Sequence, residues 1–76
     1  AESDGRRMTS SDIERLYREH QPALLRWLTR FVRCEHTAAD LAQDSYLRMA
    51  DAADETAIAH PRAFLFRTAR NLAVDH

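Results

Sequence analysis

The sequence predicts an all-α domain, a small helical bundle with three main helical segments, the first of them broken near Pro22. Three observations carry that expectation. One Gly and two Pro in 76 residues are too few turn formers for a chain rich in β structure. Apolar residues recur at three- and four-residue spacing along most of the chain. Residues suited to helix starts, Ser11, Thr37 and Pro61, stand at the head of the periodic stretches.

Residues 1–10 lack an apolar period and are expected to be a disordered tail, with Met8 available as a native start. Ser11 and Glu14 have the S-x-x-E spacing of a capping box. Ile13, Leu16, Tyr17 and His20 follow at helical spacing. Pro22 then interrupts. An interior proline removes a hydrogen bond and clashes with the preceding turn, at a cost of about 3 kcal/mol, whereas a first helical position accepts it. The expectation is a short helix over 11–19, a break at 20–21 and a second helix over 22–33. Leu24, Leu25, Trp27, Leu28, Phe31 and Val32 make a broad apolar face there, with Arg26, Arg30 and Arg33 on the other side.

Residues 33–36 form a connection. Thr37 suits an N-cap, and Asp40 lies near the positive end of a helix expected to run to about residue 52. Ala38, Leu41, Ala42, Ser45 and Met49 form its inward stripe. Asp40, Gln43, Asp44, Leu47 and Asp51 form an acidic, amide-bearing outer face. Residues 51–60 are acidic and alanine-rich, and are expected to form a loop. Pro61 opens a last helix, whose Phe64, Leu65, Thr68, Leu72 and Ala69 face inward while Arg67, Arg70, Asn71 and Val74 lie elsewhere. The chain stops at His76 without a stop signal, as expected of a segment of a longer protein.

Bulk properties narrow the function. A chain of this length buries only about 60% of its unfolded surface, which leaves little room for a deep enzyme pocket. The single Cys34 excludes an internal disulfide and fits a reducing compartment. No run reaches the roughly 18 apolar residues of a membrane span, so cytoplasm is expected. The net charge of −1 is unevenly spread. Residues 35–60 carry six acids against Arg48 alone, and after His60 come Arg62, Arg67 and Arg70 against Asp75 alone. Every basic side chain is Arg, a planar donor suited to carboxylate or phosphate.

Among the chemistry-bearing groups, Cys34 and His36 are the only close pair of zinc-type ligands, and His20, His60 and His76 are scattered. No metal and no cofactor is expected. Catalysis is not expected either. The sequence has no glycine-bearing elbow and no phosphate loop, and Asp40 with Asp44 reads most simply as helix-start charge. The outer face around Asp40, Gln43, Asp44 and Leu47 fits a wet helix surface or a protein contact. Arg62, Arg67, Arg70 and Asn71 fit either dipole partners at a helix end or a grip on phosphates and a base edge.

Two strings taken together, D-L-A-Q-D-S-Y-L-R-M and P-R-A-F-L-F-R-T-A-R-N-L-A-V-D-H, resemble region 2 of bacterial extracytoplasmic-function RNA polymerase sigma factors, and the variant is similar to the iron-starvation, ferric-citrate type. The upstream L-Y-R-E-H-Q-P-A-L-L-R-W-L fits the same group. The resemblance covers residues 13–76 and implies a sigma region 2 domain over 11–76, with the region 4 domain absent. It implies that Asp40, Gln43 and Asp44, adjoined by Tyr46, Leu47 and Arg48, dock on the clamp helices of the polymerase β′ subunit. It implies that the following loop and helix recognise and melt the promoter −10 element on its non-template strand, with Arg62, Arg67, Arg70 and Asn71 as DNA contacts. An anti-sigma factor is an implied partner. Two features depart from the family pattern. The reading helix carries only Phe64 and Phe66 as aromatics, and the loop expected at 51–60 is acidic, which opposes phosphate.

Overall fold

The computed structural model describes residues 8–76; the expectation for residues 1–7 lies outside the described residues. Helix α1 spans Ser10–Val32, α2 spans Glu35–Glu55 and α3 spans Pro61–Asp75. Each helix packs against the other two, so the all-α expectation holds.

Order begins two residues before the expected cap. Thr9, in extended backbone, is the N-cap of α1. The Asp12 amide donates to Thr9 Oγ1, and the Thr9 amide donates to Asp12 Oδ2, both at 3.1 Å. This reciprocal pair displaces the Ser11/Glu14 box for a physical reason. Starting at Thr9 puts Met8 at N′ and Ile13 at N4, where apolar side chains staple the helix entry. Ile13 is buried and Met8 packs on the same cluster, whereas a start at Ser11 would put Ser10 at N′. Glu14, freed from capping, pairs with Arg18 at 3.0 Å.

The expected break at Pro22 is absent, and α1 is continuous through it. Ile13, Leu24 and Leu28 lie on one buried stripe, with Leu16 and Tyr17 half-buried beside it. Burying each large apolar side chain contributes about 1.5–3 kcal/mol, and a break would release one half of that stripe from the other. Pro22 is exposed. Solvent can therefore hydrogen-bond the carbonyl that its missing N–H leaves without a partner. The apolar face of α1 is narrower than expected. Trp27 is 37% exposed and Phe31 is 50% exposed. Two neighbouring helices cover one stripe, with Leu24 and Leu28 at its centre; Trp27 falls at the edge and Phe31 in the last turn.

Arg33 ends α1 in the left-handed region (φ 60°, ψ 35°), and its amide donates to the Thr29 carbonyl at 2.7 Å. Cys34, not Thr37, then caps α2, so Asp40 lies in the second turn. The Thr37 side chain and amide hold the Cys34 thiol below its usual pKa, although no side-chain cap bond forms there. The inward stripe of α2 is as expected: Ala38, Leu41, Ala42, Ser45 and Met49 are all buried. The Ser45 hydroxyl donates to the Leu41 carbonyl at 2.8 Å, which satisfies the one buried polar side chain among the described residues.

Helix α2 also outruns the expected end. Ala53, four residues beyond Met49, is buried, and the helix reaches Glu55. That leaves 56–60 as the loop, with Ile58 packed on the core. Pro61 opens α3 as expected, without a side-chain cap from His60. Leu65, Ala69 and Ala73 are its buried residues, while Phe64, Thr68 and Leu72 are half-buried.

The left-handed Arg33 supplies a test. A non-glycine residue costs about 1–2 kcal/mol in that conformation. Arg33→Gly is expected to raise thermal stability by several degrees, about 4–8 °C per kcal/mol for a domain of this size, read by circular dichroism melting.

Candidate functional site

The folded chain sorts its polar side chains onto separate surfaces. On α2, Asp40, Gln43, Leu47 and Arg48 are exposed and Asp44 is half-buried. They fall on the side left over once Ala38, Leu41, Ala42, Ser45 and Met49 are buried. Leu47, 50% exposed, gives this face an apolar centre among charges. Arg48 Nε lies 3.4 Å from Asp44 Oδ1, an i,i+4 pair open to solvent. Such a pair is worth about 0.3–0.5 kcal/mol, so an incoming cation can displace Arg48 at little cost. His36 Nε2 stands 3.8 Å from Asp40 Oδ2, a loose and exposed contact.

Tyr46 sits differently from its neighbours. It is half-buried, with its ring 4.8 Å from that of Tyr17 at a tilt of 40°. That contact ties α2 to α1 from behind the outer face. Burial holds the Tyr17 phenol above its usual pKa, a hydrogen bond with Gln21 works against that shift, and Tyr46 adds to it.

On α3, Arg62, Arg67, Arg70 and Asn71 are all exposed. The Arg62 guanidinium lies over the Phe66 ring, 5.2 Å from its centroid. The other edge of the Phe66 surroundings belongs to α1: His20 meets it edge-on at 6.2 Å. Phe66 is therefore half-buried against α1. The loop at 56–60, with Phe64 and Arg67, lines a shallow hollow of about 210 Å³. Asp51, Asp54 and Glu55, expected in that loop, belong to the last turns of α2 instead. The loop itself carries no acid, so the opposition to phosphate comes from Asp54 and Glu55 at its α2 edge.

The fold also gathers residues that the sequence left apart. Arg26 and Arg30 of α1 line one groove with Trp27, Phe66, Arg67 and Arg70. The i,i+4 spacing of Arg26 and Arg30 beside the lone Trp was the available signal. It was obscured because Trp27 scanned as core. Among the described residues no group of three or more His, Cys, Asp or Glu could hold a metal ion. Nor, among them, is any helix long and apolar enough to cross a membrane.

A family model described as Sigma-70 region 2 matches residues 16–76. The chain belongs to this family. It is also similar to the ferric citrate uptake sigma factor FecI of Escherichia coli (strain K12), with 38% identity over 66 residues. That alignment covers 87% of this chain and 38% of the relative, so the chain spans under two fifths of the relative's length. No solved structure matches the chain. The sigma region 2 resemblance of ferric-citrate type, read from the two strings, is borne out by these matches.

The tyrosine pair yields a pH expectation. A raised phenol pKa means the folded state holds its proton more tightly than the unfolded chain, whose tyrosine titrates near 10. The stabilisation tied to that proton is complete below about pH 10 and is lost as pH rises through the folded value. Tyr17→Phe is expected to flatten the fall of the melting temperature in alkaline buffer, relative to the parent chain.

Proposed function

We propose that this chain is the core-binding and −10-reading domain of an extracytoplasmic-function sigma factor, working in the cytoplasm to direct transcription initiation. Residues 8–76, which include the Thr9 cap and Met8, are its working unit. The carrying observation is the division of surfaces within a sigma-70 region 2 chain: an acidic outer face on α2, and arginines grouped on α3 and the facing side of α1. Asp40, Gln43 and Asp44 receive basic and amide groups of the polymerase β′ clamp helices, around the apolar Leu47. Arg48 holds the Asp44 carboxylate in place until the partner takes it, and Tyr46 braces the face from α1. An anti-sigma factor acts by occupying one of these surfaces.

Docked in this way, the domain presents the 56–60 loop and α3 to promoter DNA. The work is recognition and strand opening, with no covalent step. Arg62, Arg67 and Arg70 neutralise phosphates, and Asn71 offers an amide to a base edge. A base flipped from the duplex costs a few kcal/mol of unstacking. The loop hollow bounded by Phe64 and Arg67 supports its capture, and stacking returns about 1–3 kcal/mol per base.

Capture by a β′ clamp-helix fragment tests the docking half. Asp44→Arg is expected to abolish capture while circular dichroism shows unchanged helicity; undiminished capture rejects the assignment. Asp44 is preferred over Asp40 because Asp40 lies nearer the start of α2, where helix stability and binding would change together. For the DNA half, Arg67→Ala is expected to weaken binding of a single-stranded −10 oligonucleotide. It should also lower the slope of log affinity against log salt by about 0.7.

A further inference from the structure

The α1 wall of the α1–α3 groove belongs to the basic grouping noted above, but none of its residues has yet been given a contact; only Arg67 and Arg70 of α3 have. The groove holds about 570 Å³. Four of its walls are the guanidinium-bearing Arg26, Arg30, Arg67 and Arg70, and no carboxylate lines it. Elsewhere among the described residues, Arg18 pairs with Glu14 and Arg48 with Asp44, while Arg15, Arg33 and Arg62 stand apart from one another without an ion pair. Among the described residues, none of the four groove arginines takes part in an ion pair or a side-chain hydrogen bond. Four like charges around one groove repel one another, and a polyanion relieves that repulsion.

The aromatic side chains narrow the choice of polyanion. The Trp27 and Phe31 rings are stacked nearly parallel, 8° apart with centroids at 5.2 Å, and both are substantially exposed. They form a short aromatic stack on α1, and Trp27 carries it into the groove wall. Across the groove, Phe66 is held between His20 and Arg62. Flat rings interleaved with guanidinium groups are the arrangement that binds single-stranded nucleic acid, since every base offers a π face and every nucleotide a phosphate. An acidic peptide supplies charge but leaves the aromatic stack without a stacking partner. Continuity supports the same choice, because Arg67 lines both this groove and the loop hollow. A strand with one base in the hollow has its neighbouring nucleotides at the groove.

We propose that the α1–α3 groove holds unpaired nucleotides continuing from the loop hollow, with a base stacked on Trp27 and phosphates taken by Arg26 and Arg30. This rests on the reading that α3 meets single-stranded DNA. It extends the strand path from α3 onto α1 and makes Trp27, Arg26 and Arg30 part of the strand-holding surface. Holding more of the separated strand favours the open form of the promoter, since re-annealing must first strip the strand from the groove.

Trp27 is the only tryptophan in the chain, so its fluorescence reports on the groove alone. The chain is titrated with a short oligothymidylate, with a duplex of the same length and with polyglutamate. Affinity is measured separately by anisotropy of the labelled strand. Saturable quenching by the single strand is expected, with little from the duplex or polyglutamate. Trp27→Ala should weaken the strand by about tenfold, and Trp27→Phe should restore most of that loss. Arg26→Ala and Arg30→Ala should each lower the salt slope by about 0.7. All four substitutions fall on exposed side chains, so circular dichroism should show the fold intact. The proposal alone is overturned if Asn71→Ala weakens the strand while Trp27 stays unquenched and Trp27→Ala binds as the parent does. Equal quenching by polyglutamate overturns it in favour of an acidic peptide. No binding of any single strand defeats the underlying reading as well.

Discussion

Close approach of the helices through small side chains is the constraint on which this domain depends. Its largest fully buried side chains are Leu24, Leu28, Met49, Leu65 and Ser45. Around them, Ala38, Ala42, Ala53, Ala69 and Ala73 let the helices draw together. Small residues at helix contacts shorten the interaxial distance, so a few leucines and one methionine can fill the space between three helices. Ser45 belongs to the same economy. Its hydroxyl returns to the Leu41 carbonyl, so a small polar residue sits at the centre without an orphaned group.

A core gathered on such narrow stripes leaves most of each helix outside it. That is how a chain of 76 residues carries several surfaces at once. The outer face of α2 keeps its carboxylates and Leu47 in solvent because alanines, not bulky residues, occupy the other side. Trp27 and Phe31 remain at the surface for the same reason, since α1 has only two neighbours to cover it. Charge follows the same partition. The acids cluster on α2 and the groove arginines on α1 and α3, so one small domain can meet a basic protein surface and a phosphate backbone without mixing the two fields.

Aromatic contacts then set the relative placement of these surfaces. Tyr17 against Tyr46 joins α1 to α2 directly behind the acidic face. His20 against Phe66 joins α1 to α3 beside the arginines. The two contacts lie within one turn of each other on α1, just before Pro22, and the helix continues through that proline to Trp27. A hinge there would uncouple Trp27 and its arginines from Tyr17 and His20. Continuity of α1 therefore links the acidic face of α2, the loop hollow and the groove into one body.

By itself the sequence determined the helical class, the start of α3 at Pro61, the buried stripe Ala38/Leu41/Ala42/Ser45/Met49 and the split between an acidic middle and a basic end. These are local matters of periodicity, proline chemistry and charge order, and each is written in adjacent residues. The two strings together also carried the family. Tertiary structure decided the rest. Pro22 stays inside a helix because burial on both sides of it outweighs a local penalty that only the local rules can see. Thr9 replaces Ser11 as the cap because Met8 and Ile13 meet on the core. Helix α2 runs on to Glu55 because Ala53 finds a neighbour to cover it. Arg26, Trp27 and Arg30 reach Phe66, Arg67 and Arg70 only when α1 lies against α3, and residues some forty positions apart carry no periodicity that announces their meeting.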